Sequence, residues 1–239
     1  MSTAANDSRA ASQPNNQGRH APRAQRRRVG LGAVLPGLLL ALVACRPPPP
    51  QTAQVAIETP EAEPAAAPVD QFLARVAQHC DQGFAGRIVT DHPPAAGDPF
   101  TGKALIMHVR ACSDSELKIP FHVGDDHSRT WVLTRTAEGL RLKHDHRHED
   151  GSDDAVTMYG GDTAAPGTGS RQEFPVDAES VAMFEREGLA ASVTNTWAME
   201  IEPGKRFLYE LSRPGGRLFQ VEFDLTAPVE APPAPWGHE

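Results

Sequence analysis

The chain has 239 residues, with aromatic content of 6%, charged content of 23%, 22 prolines and 20 glycines. Such a chain holds one or two domains by length, and the proline and glycine point to long irregular flanks around a soluble core. The net charge of −8 and the absence of a basic stripe argue against nucleic-acid binding, which needs clustered cations to displace counterions. The single apolar run, before Cys45, excludes a polytopic membrane protein, and the repeated apolar stretches between Val69 and Leu225 exclude a disordered one.

Residues 1–28 are polar and basic, with Arg19, Arg23, Arg26, Arg27 and Arg28, and Val29 to Ala44 is almost purely apolar. This is the charge-then-apolar order of an export signal, too short for a comfortable spanning helix and weakened by Pro36 and Gly37. It ends in Leu42, Val43, Ala44 and Cys45, which resemble the lipobox of bacterial lipoprotein precursors. The alternative is an ordinary secretory leader with a chance cysteine, and Arg26-Arg27 leaves a twin-arginine route open. The lipobox resemblance implies that Cys45 becomes an acylated N-terminus carrying three chains, enough for stable membrane anchoring. Arg46, where the inner-membrane retention pattern has aspartate, points to a periplasm-facing protein on an outer membrane. Six of the 23 basic residues and one of the 31 acidic residues precede Cys45, so the net charge of the mature chain falls from −8 to −13.

From Arg46 to Pro68 there are seven prolines in 23 residues and no periodicity. With Cys45 this forms a tether over 45–68, able to hold the domain up to roughly 70 Å from the lipid at about 3.1 Å per residue. A β domain is expected over 69–227. Residues 228–239 read as a second proline-rich segment, which Trp236 tacks onto the domain.

A helix is predicted over 70–80, with Asp70 as cap and Phe72, Leu73, Val76 and Ala77 on one face. Short alternating runs follow at 84–90, 103–110, 116–123, 129–136, 139–148, 155–159, 171–175, 195–202, 206–212 and 216–225. A second helix is expected over 177–187, capped by Asp177, stopped by Gly188 and facing inward with Val181, Met183 and Phe184. The clearest hairpin alternates Phe207, Tyr209 and Leu211 against Phe219, Val221, Phe223 and Leu225 across Arg213 to Gly216. The expected fold is mainly β, a single antiparallel barrel or a sandwich with two short helices. Cys80 and Cys112 remain once Cys45 is lipidated, and a disulfide between them is expected in an exported domain; free thiols or a metal site are the alternatives.

The segment Leu140 to Asp154 carries His144, His146 and His148 at alternate positions. In a strand these share a face with Leu140 and Leu142, while Arg141, Lys143, Asp145, Arg147 and Glu149 take the other. Three functional readings follow. The imidazoles with Arg147 can hold a small polar ligand. With Glu149, Asp150 or Asp153 they can coordinate a divalent transition metal such as Zn²⁺, Cu²⁺ or Ni²⁺. In an envelope enzyme they can relay protons. The plain structural alternative is a charged sheet surface near a turn. His108 and His122 read as hydrogen-bonded scaffold, Ser128 to Trp131 as a strand entrance with an aromatic anchor, and no residue is assigned a catalytic role. The glycines between Gly160 and Gly169 lack the context of a phosphate loop.

The block Lys143 to Ser152, with Val156 to Gly160 and Ala234 to Gly237, is similar to an uncharacterised family of secreted or lipid-anchored bacterial proteins, which implies no activity. The order of helix, strands, helix and final strands resembles calycin barrels, by architecture alone. Gly83-Phe84-Ala85-Gly86 stands where lipocalins have Gly-x-Trp. These readings converge on a cell-envelope lipoprotein whose β domain binds a small molecule without catalysis, with a metal site or enzyme as the second reading. The third is an assembly lipoprotein that binds an envelope protein.

Overall fold

A computed structural model of the chain describes residues 66–94 and 97–238. The expected export leader, Cys45 and most of the expected tether lie outside the described residues. The elements are α1 (Pro68–Ala77), β1 (Gln82–His92), β2 (Leu105–Val109), β3 (Ala111–Cys112), β4 (Glu116–Val123), β5 (Asp126–Arg135), β6 (Leu140–His146), β7 (Tyr159–Asp162), β8 (Arg171–Pro175), α2 (Ala178–Arg186), β9 (Thr196–Glu202), β10 (Arg206–Arg213) and β11 (Arg217–Val229).

The strands form one antiparallel sheet in the order β7-β6-β5-β4-β2-β1-β11-β10-β9-β8, with β3 paired to β4 off this path. Two meanders, β4 to β7 and β8 to β11, are joined through β1 and β2, and the sheet curls into a nearly closed barrel. Its seam lies between β7 and β8. A Cβ on Gly161 would stand 1.8 Å from the Pro175 carbonyl oxygen, so only glycine permits this approach. Across the seam the Asp177 N–H donates to the Gly160 carbonyl at 2.9 Å. The Gly160 N–H donates to Ser180 Oγ at 2.8 Å, and that hydroxyl donates back to the Gly160 carbonyl at 3.3 Å. The N-terminus of α2 therefore supplies the hydrogen bonds that a further strand would make. Asp177 caps α2 by accepting from the Ser180 N–H, as the sequence predicts. Phe184 is buried, but Val181 and Met183 are only half-buried, and Ser180 takes an inward position.

The interior is filled by alternate residues of the strands: Phe84, Met107, Ile119, Phe121, Trp131, Leu133, Leu142, Trp197, Phe207, Val221 and Phe223 are all at most 2% exposed. Each such burial contributes about 1.5–3 kcal/mol. Helix α1 seals one end with Val69, Phe72, Leu73 and Val76. It starts two residues before Asp70, with Pro68 in its first turn and no side-chain cap. Asp70 instead pairs with Arg135 of β5 at 2.6 Å. A disulfide joins Cys80, just after α1, to Cys112 of β3, which clamps the sealing helix to the sheet.

Three differences from the expected elements bear on function. The run 155–159 is not a strand; β7 begins at Tyr159, which turns that side chain inward. Strand β6 ends at His146 rather than at residue 148. Strand β11 reaches Val229, pairing Pro228 with Phe84 and Val229 with Gly83. The following segment then crosses the outside of the barrel: the Trp236 N–H donates to the His127 carbonyl, and Arg110 Nη1 donates to the His238 carbonyl at 2.7 Å.

Candidate functional site

The candidate site is the end of the barrel opposite α1. There β6 finishes, β5 and β7 begin, and the segment after β1 lays Phe100 across the opening. Asp98 holds that segment by accepting from the N–H groups of Phe100 and Thr101. Phe100 stacks on Phe121 at 5.7 Å and on Phe219 at 5.1 Å. Behind it lies a cavity of about 60 Å³ bounded by Phe100, Phe121, Arg129, Trp131, His144, His146, Tyr159 and Tyr209, with Thr130 at its edge.

Period-two alternation places these groups. Leu140, Leu142, His144 and His146 follow one another on the inner face of β6, as the parity of the sequence predicts. His144 is 3% exposed and lies parallel to the Tyr159 ring, 4.6 Å away at 10°. Its Nδ1 is 3.1 Å from the Tyr159 carbonyl oxygen and its Nε2 2.9 Å from the Tyr209 hydroxyl. A carbonyl can only accept, so Nδ1 carries the proton and Nε2 accepts from Tyr209. The Tyr159 hydroxyl lies 3.2 Å from His146 Nε2. A neutral imidazole and a phenol share two protons between them, so whichever group donates in this contact, the pair keeps one further proton to donate.

Burial pushes His144 down to about 3, with repulsion from His146 adding to it. Burial likewise pushes His146 down to about 4, helped by Arg129. Burial raises the Tyr159 phenol to about 12 and the Tyr209 phenol well above its ordinary range. At neutral pH both imidazoles are uncharged and both phenols are protonated. The one cation on the lining is Arg129, on the inner face of β5 two residues before Trp131. Its Nη1 donates to Asp126 Oδ2 at 2.6 Å, and its guanidinium lies 5.6 Å above the Phe100 ring. Burial alone would raise the Asp126 carboxyl, but hydrogen bonds from Ser128 and Arg129 outweigh it and hold the group down to about 2.

The other expected site residues do not join this cavity. His148 and Glu149 are exposed on the turn after β6, because the chain leaves the sheet at Arg147 to make a bridge with Asp153. Arg147 faces outward and pairs with Asp145 at 2.8 Å and Asp153 at 2.7 Å. The expected metal set of His144, His146, His148 and Glu149 is therefore split between the interior and an outer turn. Among the described residues no three His, Cys, Asp or Glu side chains are grouped to hold a metal ion.

Sequence reasoning passed over Arg129, Tyr159 and Tyr209 as site residues. Arg129 shares parity with Trp131 and Leu133, and an arginine in step with core residues is the signal that could have found it. Tyr209 reads as ordinary core in its hairpin, and Tyr159 was one element out of place. A separate histidine pair lies on the outer face, where His122 meets His127 beneath the C-terminal segment. His108 Nδ1 and His122 Nε2 are buried there without partners among the described residues.

The outer surface carries larger hollows, of about 480 Å³ beside Arg87, Lys205, Arg206 and Glu222 and about 300 Å³ beside Arg110, Lys118 and His238. In the first, Arg87 and Arg206 are already paired with Glu222, Glu200 and Glu202, and in the second Arg110 is occupied by the His238 carbonyl. Of the hollows described among these residues, the barrel-end cavity combines aromatic walls with convergent polar groups. The fold and site thus define a nearly closed antiparallel barrel, sealed by a helix at one end and holding a small polar cavity at the other. The chain matches no protein-family model, none of the curated proteins and none of the solved structures with which it was compared.

Proposed function

We propose that this protein is a lipid-anchored component of a bacterial cell envelope whose barrel binds a small molecule in the cavity behind Phe100. The observation that carries the binding reading is the cavity itself. In a barrel otherwise filled by large side chains, His144, His146, Tyr159, Tyr209 and Arg129 converge on one space of about 60 Å³. A single water needs about 10–15 Å³, so the space takes a ligand of a few heavy atoms. It lies well below the roughly 300–1,000 Å³ of drug-sized sites, which separates it from the large apolar ligands of calycin-like barrels.

The anchoring reading rests on the order of basic segment, apolar run and Leu42-Val43-Ala44-Cys45. Cys45→Ser tests it: loss of acyl incorporation and release from the membrane fraction are expected, and a variant that remains lipidated overturns it. Ligand-observed NMR with a set of small polar solutes tests binding, using the purified full chain beside His146→Trp, which fills the cavity. Solutes that bind the parent and are lost in a folded His146→Trp chain support the reading. Absence of any bound solute, or binding unaffected by the substitution, overturns it.

A further inference from the structure

We infer that the cavity behind Phe100 is a receptor for a small carboxylate, held side-on by the guanidinium of Arg129. This rests on the binding reading above and specifies its ligand class.

The argument starts from unused hydrogen-bond capacity. A guanidinium has five N–H donors and no acceptor. Among the described residues, Arg129 meets only Asp126, through Nη1. That contact leaves the edge formed by Nε and Nη2, which matches the two oxygens of a carboxylate in a paired arrangement. The side chain is only 17% exposed, so this donor edge has little bulk water to satisfy it. The side chain lies over the Phe100 ring and lines the cavity.

The remaining lining is matched to an acceptor. The Tyr209 hydroxyl proton is committed to His144, and the Tyr159 hydroxyl pairs with His146 Nε2. Either way that pair keeps one proton to donate, on His146 Nδ1 or on the Tyr159 hydroxyl. No carboxylate belongs to the cavity lining; Asp126 lies on the Nη1 side of Arg129, and Asp154 acts on His146 and Tyr159 from outside the lining. Phe100, Phe121 and Trp131 supply a low-dielectric surround in which a charge-assisted pair is stronger than in water. The cavity volume of about 60 Å³ limits the ligand to a short acid such as formate or acetate.

The charge of the mature chain does not oppose this. Its excess acid is spread over the outer surface, and at physiological salt fields from exposed groups decay within about 8 Å. Asp126 neutralises Arg129 in the empty site, so an incoming carboxylate gives the local group a single net negative charge. The donor set around it offsets that charge.

Equilibrium dialysis of radiolabelled acetate against the purified full chain tests the assignment, with acetamide as the neutral isostere. Saturable acetate binding is expected, at least tenfold tighter than acetamide and weakened at least tenfold in Arg129→Gln. Arg129→Lys keeps the charge but not the paired donor edge, and is expected to bind several-fold more weakly while retaining the ion pair to Asp126. Arg87→Gln, on the outer surface, is expected to bind as the parent does. Equal affinity for acetate and acetamide, or acetate binding that survives in a folded Arg129→Gln chain, would overturn the carboxylate assignment and leave a small-ligand cavity standing. Absence of acetate binding in the parent also overturns it. The solute survey with His146→Trp then decides separately whether the cavity binds anything.

Discussion

His144 and Tyr209 are joined by a hydrogen bond of 2.9 Å across the inside of the barrel, from the middle of β6 to the middle of β10. These strands are six places apart in the sheet, so the contact spans the lumen. With the His144 tautomer fixed by the Tyr159 carbonyl at Nδ1, the Tyr209 hydroxyl is the donor to a buried Nε2.

Removal of the Tyr209 hydroxyl should therefore cost more than its area implies. Tyr209→Phe leaves His144 Nε2 as a buried acceptor with no donor, at a cost of about 1–3 kcal/mol. His144→Phe removes the acceptor as well, so the double substitution should cost clearly less than the sum of the two single ones. Urea denaturation of the four proteins measures this directly, and strict additivity would show that the pair is not coupled.

Acid should destabilise the domain before its carboxylates titrate. The ordinary histidine value is 6.5, and burial first of all depresses His144 to about 3 and His122 and His146 to about 4 in the folded protein. The unfolded chain binds protons first, so this part of the stability is complete above pH 6.5. It drains away as the pH falls through that value toward 4. Asp126, depressed to about 2, adds its loss only below its ordinary 3.8. The urea midpoint is expected to fall steadily between pH 6.5 and 4, and less steeply in His146→Gln. A flat profile across that window would contradict the buried neutral histidines.

The seam of the barrel depends on the absence of a side chain at position 161. Gly161→Ala drives a methyl group into the Pro175 carbonyl, and backbone on both sides leaves little room to yield. A loss of about 3 kcal/mol or more is expected, with increased hydrogen exchange at Gly160 and Ser180. Gly204→Ala, whose added carbon meets nothing within 4 Å but whose φ is +67°, should cost less, through backbone strain alone.

Breaking the disulfide should loosen the sealed end of the barrel. Cys80 and Cys112 are 32 residues apart, and closing a loop of that length is worth about 3–4 kcal/mol through the entropy of the unfolded chain. The Cys80→Ala/Cys112→Ala chain should lose about that much in denaturant, with a matching shift on reduction of the parent. A reductant-insensitive midpoint would contradict the bond.

Much of this protein is local in origin, and local features are legible in a sequence. Alternation sends Leu142, His144, Trp131 and Tyr209 inward because the pleat has a period of two, whatever the strand pairs with. Asp177 and Gly188 mark the ends of α2 because capping is a matter of a few neighbouring atoms. The pairing of Cys80 with Cys112 was expected from the sequence and is present in the structure. Tertiary structure decided the rest. The alternating pattern runs on through His148, but β6 stops at His146 because Arg147 finds Asp153 and turns the chain outward. This splits the expected metal set. Tyr159 enters the barrel where β7 closes on the Leu142 carbonyl at Gly160 and on the Pro175 carbonyl at Gly161, approaches that only glycine permits. Arg129 becomes a site residue through Phe100 and Asp126, which no periodicity links to it. The sequence by itself determined which face each side chain takes, since that depends on backbone geometry alone. Which of those side chains meet across the lumen depended on closure of the sheet, a relation between residues far apart in the chain.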